Sequence, residues 1–164
     1  VEDGYDIVAI EPSDLAMFRR DYDRLLEENP LAGESYEVME YVYGLLEHGG
    51  DPAVLAPGSG RPLAYHSHCQ LRTLDLAVYT EAVLDRLGYD VVTSDVECCG
   101  MAGSFGYKSQ YYDLSMAVGA VLADQFDEPG RQLVASGTSC QEQLDALLDR
   151  EACHPVEIVD PWRR

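Results

Sequence analysis

Lysine is almost missing from this chain. Of its 11 basic residues ten are arginine and only Lys108 is lysine, set against 30 Asp and Glu, for a net charge of −19. So few cations make nucleic acid and anionic membrane poor partners. A halophilic cytoplasm accounts for both features, because carboxylates hold water and cations in molar salt, where self-repulsion is screened within about 3 Å; an ordinary acidic protein is the other reading. No apolar run approaches the roughly 20 residues of a membrane span. No basic stretch followed by an apolar one marks a secretory signal. The expected location is therefore the cytoplasm, or the cytoplasmic face of the membrane. A phosphate loop, a dinucleotide fingerprint, a nucleophile elbow and a Cys-x-x-Cys pair are also missing, which argues against nucleotide binding, serine-hydrolase and thioredoxin-like chemistry. The chain opens with Val1 rather than Met, and is read as part of something longer.

What is present suits one domain. The 164 residues are 46% apolar and 25% charged, enough for a real core. Short Val/Ile/Leu-rich runs at Asp6–Ile10, Pro62–His66, Tyr89–Ser94, Arg131–Ser136 and Val156–Val159 hardly alternate, as strands buried on both faces should not. Helical spacing links Leu15, Phe18, Tyr22 and Leu25, fills Ser35–Glu47, marks Leu74, Val78 and Ala82, runs through Tyr107, Tyr111, Leu114, Val118, Val121 and Phe126, and returns at Leu144, Leu147 and Leu148. Strands alternating with helices predict an α/β fold, a mostly parallel sheet with helices on both faces. The Gly- and Pro-rich stretch 49–61 reads as an exposed connection. It divides a leading segment, 1–48, from a cysteine-bearing segment, 62–164, within one compact domain. A faint repeat crosses it: Val8-Ala-Ile-Glu-Pro-Ser-Asp14-Leu against Val134-Ala-Ser-Gly-Thr-Ser-Cys140-Gln, which sets Asp14 where Cys140 stands.

Five cysteines, two of them adjacent, make a poor disulfide framework, so thiols or metal ligands are expected. Cys69, Cys98, Cys99 and Cys140 all follow predicted strands and precede predicted helices. That is the edge where open α/β sheets bind ligands, and helix N-termini there favour thiolate over thiol. Four convergent thiolates suit an iron–sulfur cluster, [4Fe–4S]; tetrahedral zinc accepts them too, in a structural or assembly domain. In Cys98-Cys-Gly-Met-Ala-Gly-Ser-Phe-Gly106, Gly100, Gly103 and Gly106 permit tight backbone approach, with N–H groups turned toward cluster sulfurs. His66 and His68 are expected to orient the ligands rather than to join them. His48 and His154 read as structural. Cys153 reads as a small buried thiol at the far end of the last helix. Asp14 has two roles open: a carboxylate facing the cysteine crevice, or a cap on the helix that begins at Leu15.

At Cys98-Cys99-Gly100 the chain resembles the CCG, or cysteine-rich, domain family. That family is found in heterodisulfide reductase, in anaerobic glycerol-3-phosphate dehydrogenase and in iron–sulfur proteins that oxidise lactate and glycolate. Cys69, Cys98-Cys99-Gly100 and Cys140 match its pattern, while Gly137 replaces the first cysteine of its final pair. Its first copy commonly carries Glu-Pro-Ser-Cys, here Glu11-Pro-Ser-Asp14, so the resemblance implies that 1–48 is the remnant of a first repeat. The chain is similar, more closely, to the C-terminal part of FAD-linked D-lactate and D-2-hydroxyglutarate dehydrogenase-like proteins, through His66-Ser-His-Cys69, Cys98–Tyr107 and Gly137-Thr-Ser-Cys140. The resemblance implies an electron-transfer module, not a complete enzyme by itself. FAD would sit in a flavin-binding domain of the same protein or complex, where it oxidises a 2-hydroxy acid. The cluster would pass electrons on to a quinone or another carrier.

Overall fold

The computed structural model describes residues 4–163, so Val1 and the outermost limits of the two expected segments lie outside the described residues. Every strand pairing is parallel, in two sheets. In the smaller, β1 (Ile7–Ala9) pairs with β2 (Ser35–Glu37), with Ile7 opposite Ser35. In the larger, the order is β4 (Asp90–Thr93), β3 (Pro62–His66), β5 (Gln132–Ala135), β6 (Ala152–Cys153). Between β1 and β2 lie α1 (Pro12–Ala16), a π-helical turn and α2 (Tyr22–Leu25). Helix α3 (Val38–Glu47) follows β2; α4 (Cys69–Thr73) and α5 (Ala77–Arg86) join β3 to β4; α6 (Tyr112–Gln125) joins β4 to β5. Then α7 (Thr138–Leu148) leads to β6, and α8 (Pro155–Ile158) follows it.

Alternate residues of the larger sheet enter two separate cores, as a pleat dictates. Leu63, Tyr65, Val134 and Cys153 pack with Met39 and Leu46 of α3, Val83 and Leu84 of α5, and Ile158 of α8. Ala64, Leu133 and Ala135 pack on the opposite face with Leu122 of α6, Cys140 and Leu144 of α7, and Cys99. Each fully buried leucine is worth about 2 kcal/mol. Helices thus cover both faces of a parallel sheet, as the alternation of strands and helices predicts. Helix α3 belongs to the leading segment, which therefore shares the core of the cysteine-bearing one. A third small core of Ala9, Leu15, Leu71 and Leu76 ties β1 and α1 to α4 and the turn after it.

Several sequence expectations change. Val156–Val159 is not a strand: Pro155 opens α8, capped by the His154 side chain on the Val156 N–H, and the strand is Ala152–Cys153. Pro at a first helical position is the signal that marks this start. Cys153 accordingly sits on a strand rather than at a helix end, and it is buried there. Ser35–Glu37 is β2 and not the start of α3. The 49–61 connection is anchored as well as exposed: the Gly58 N–H donates to the Leu87 carbonyl at 2.8 Å and the Ala56 N–H to that of Val159 at 2.9 Å. The stripe Tyr107–Val121, which reads as the buried face of a helix, points to solvent. Helix α6 buries Ser115, Gly119, Leu122 and Ala123 instead. The reason is close packing: a side chain at Gly119 would come within 2.8 Å of the Cys99 carbonyl oxygen.

Candidate metal centre

Strand β3 is central, and the chain leaves it for β4 on one side and returns to β5 on the other. The topological switch point therefore lies between the carboxyl ends of β3 and β5. Cys69 stands at the start of α4, after β3, and Cys140 in the first turn of α7, after β5. Cys98 and Cys99 lie in the loop after β4. The four sulfurs predicted as ligands are thus brought to one edge, at and beside the switch point. All five cysteines are free thiols. Cys153 is held apart, with its thiol donating to the Leu133 carbonyl at 3.5 Å within the sheet.

Cys99 and Cys140 are buried in the same core cluster. The neighbouring Cys140 thiol draws Cys99 down to about 7, and Cys140 is held well above the ordinary thiol range by the same partner and by burial. Burial raises Cys69, and the charges of Cys98 and Cys99 raise it further. Cys69 and Cys98 are half-buried and share an opening of about 470 Å³ with Arg72, Thr73 and Glu97. Among the described residues, no three His, Cys, Asp or Glu side chains are already drawn in around a single metal ion.

Of the three loop glycines, only Gly100 turns its N–H onto a cysteine sulfur; the Gly106 N–H donates to the Met101 carbonyl at 3.0 Å. Gly100 has φ +98°, and a Cβ there would lie 2.4 Å from the Ser115 carbonyl oxygen. That conformation turns the Gly100 N–H onto the Cys98 sulfur at 3.4 Å. Gly103 also has a positive φ, of +66°, but open space around it. Gly106 leaves no room for a side chain beside Met101 and Ser115.

The two histidines differ. His66 is fully buried at the end of β3. Its Nδ1 meets the Ser94 hydroxyl at 2.7 Å, its Nε2 has no hydrogen-bond partner among the described residues, and burial lowers its pKa to about 3. His68 caps α4: its Nδ1 accepts from the Gln70 N–H at 3.1 Å and lies 4.0 Å from the Cys69 sulfur. The proton of this neutral ring therefore sits on Nε2, which faces Glu11 at 3.9 Å. The ring lies flat on Gly137, where any Cβ would come within 2.4 Å of it. Gly137 is thus the partner of His68: the ring fills the space a side chain at 137 would need.

Glu11 is the residue that sequence reasoning missed. It caps α1, accepting from the Ser13 N–H at 3.3 Å, and it also accepts from the Thr138 N–H at the start of α7 at 3.0 Å. Asp14 is not the cap; it is exposed and makes no side-chain hydrogen bond among the described residues. The signal available was Pro12, which fits a first helical position and so places the cap at Glu11. His154 lies nearer the site than expected, with its Nε2 on the Ser136 carbonyl at 3.1 Å, yet its work there is structural. His48 caps the end of α3 at the surface.

A fit to an iron–sulfur cluster is supported by the donor set, four thiols on one edge, and by an N–H already aimed at one sulfur.

Comparison with known proteins shows which family the chain is similar to. The family model of the cysteine-rich (CCG) domain matches residues 63–145. The C-type subunit of anaerobic glycerol-3-phosphate dehydrogenase from Escherichia coli K12 is 30% identical over 99 residues, 59% of this chain and 25% of that protein. D-2-hydroxyglutarate dehydrogenase of Pseudomonas putida is 30% identical over 162 residues, 95% of this chain and 15% of that protein. Its counterpart in Pantoea ananatis is 26% identical over 160 residues, 95% of this chain and 15% of that protein. The chain spans a quarter or less of the length of these relatives.

Proposed function

The chain belongs to the cysteine-rich (CCG) domain family, and from that premise we propose that it is the iron–sulfur electron-transfer module of a FAD-linked dehydrogenase acting on a 2-hydroxy acid such as D-2-hydroxyglutarate, D-lactate or glycolate. The observation that supports the reading is that Cys69, Cys98, Cys99 and Cys140 all follow the carboxyl ends of strands along one edge of a parallel sheet, at and beside its switch point. A [4Fe–4S] cluster bound there would take up and release electrons one at a time. The chain's own residues do the rest. The Gly100 N–H offsets charge on the Cys98 sulfur. His68 and Gly137 fix the α4 and α7 starts against each other. Cys69 and Cys98 border the opening through which the centre meets its surroundings.

In this reading two electrons leave the 2-hydroxy acid for FAD in another domain or another chain of the complex. They pass singly through this module to a quinone or other carrier, in the cytoplasm or at its membrane face. No described helix is long and apolar enough to cross a membrane. The test is anaerobic reconstitution with iron and sulfide in the presence of competing zinc. The expected product is brown, with broad sulfur-to-iron absorption. A colourless protein holding zinc alone, in every ratio, overturns the reading in favour of a structural zinc domain.

We also propose that the parent organism keeps a salty cytoplasm, on the strength of the −19 charge and single lysine. Molar KCl should then raise the melting temperature. A flat or falling dependence sinks this reading.

A further inference from the structure

Helix α6 leaves one face uncovered, and that face is apolar. Tyr107, Tyr112, Leu114 and Val121 are each at least half exposed, and Val118 is 40% exposed. From Leu114 to Ala123 there are ten consecutive uncharged residues, in a chain of net charge −19. A contiguous uncharged stripe on so acidic a surface marks an interface rather than chance exposure. Position adds to this. The inward face of the same helix touches the cysteine loop: Gly100 is packed on the Ser115 carbonyl and Gly119 on that of Cys99. A partner seated on the stripe is separated from Cys98 and Cys99 by little more than one helix diameter, about 10 Å.

We propose that this outward face of α6 is where the substrate-oxidising, flavin-bearing part of the same dehydrogenase docks, through an apolar surface of its own. The inference rests on the electron-transfer reading above. Three observations select this occupant. The relatives carry three quarters or more of their length beyond the region matched here, and one is a subunit by name. The stripe adjoins the one edge from which electrons have to enter or leave. An anionic membrane is disfavoured by the stripe itself, which holds no lysine or arginine and is flanked by Asp113 and Asp124.

Hydroxyl-radical footprinting of the 164-residue chain alone and of the intact dehydrogenase tests this directly. Tyr112, Leu114 and Val118 should be protected about tenfold in the assembly, as the centre of a packed interface is. Oxidation equal in the two samples overturns the proposal. In the intact enzyme Val118→Arg should slow the passage of electrons from substrate to the cysteine centre about tenfold at unchanged iron content and melting temperature; a wild-type rate overturns it. If the chain sediments with phosphatidylglycerol vesicles, or dimerises, and Val118→Arg abolishes either behaviour, the face belongs to a membrane or to a second copy, and the proposal falls. A chain that binds no iron but is still protected at Leu114 refutes the redox reading while leaving the docking face standing.

Discussion

The β1–α1 and β5–α7 turns are built alike: a short parallel strand, two residues of turn, then a helix whose first turn faces the same region. They differ at the two positions that matter. In the first, Glu11 precedes the helix and Asp14 sits in its first turn; in the second, Gly137 and Cys140 hold those places. Glu11 reaches across to the Thr138 N–H of the other turn, and Gly137 leaves its space to the His68 ring. Cys140 is buried against Cys99, while Asp14 lies in solvent. One turn therefore serves as a strut, and the other carries a buried thiol. The difference teaches that, of two turns built alike, the one without the thiol braces the one that has it.

The sharpest break between the two is a ligand swap. Cys140→Ser should remove most of the reconstituted iron, whereas Asp14→Ala, at the matching position, should leave it unchanged; an iron assay on both variants decides. If Asp14→Ala loses iron as fully, the strut is part of the centre and the contrast collapses.

A second contrast lies in the small sheet, where the strand that pairs with β1 buries a carboxylate. Glu37 is fully buried, with one oxygen accepting from the Met39 N–H at 2.7 Å and the other unpartnered among the described residues. Burial raises its pKa to about 7. Folded Glu37 then keeps its proton where the unfolded chain has lost it, so its contribution falls as pH rises from about 4.5 to about 7. Glu37→Gln should remove that slope, gaining about 3 kcal/mol relative to wild type across the window, by urea unfolding at several pH values. Equal slopes in the two proteins would refute it.

Third in size is Gly137→Ala. Its new methyl meets the buried His68 ring, an overpacking that should cost about 1–3 kcal/mol and lower iron retention. Wild-type stability would show that the ring moves aside freely. The smallest effect expected is that of the strut itself. Glu11→Ala should cost about 1 kcal/mol by loss of a cap and of the bond to Thr138, seen as a lower melting temperature, and Asp14→Asn should cost nothing measurable.

The placement of the thiols is legible in the sequence because β-runs followed by cysteine and a helix start put them at one sheet edge whatever the details of packing. Cys69, Cys98, Cys99 and Cys140 follow from that rule alone. What resists reading has physical causes. The orientation of α6 does not follow its apolar spacing, because small residues, Ser115 and Gly119, were needed against the Cys99–Gly100 backbone, and the large ones were left outside. Ser35–Glu37 does not look like a strand, since its buried side chains are polar. Glu11 is hard to choose over Asp14 because glutamate is a less usual cap than Asp or Ser; the bond to Thr138, 127 positions away, exists only in three dimensions.

The claim that four cysteines of one sheet edge hold the centre, and the fifth does not, is tested most directly by electron paramagnetic resonance with iron and acid-labile sulfide analysis on Cys99→Ser and Cys153→Ser reconstituted side by side. The account predicts that Cys153→Ser binds iron and sulfide in equal amounts and gives the wild-type reduced spectrum, while Cys99→Ser gives neither. Loss of the signal in Cys153→Ser, or its survival unaltered in Cys99→Ser, would contradict it.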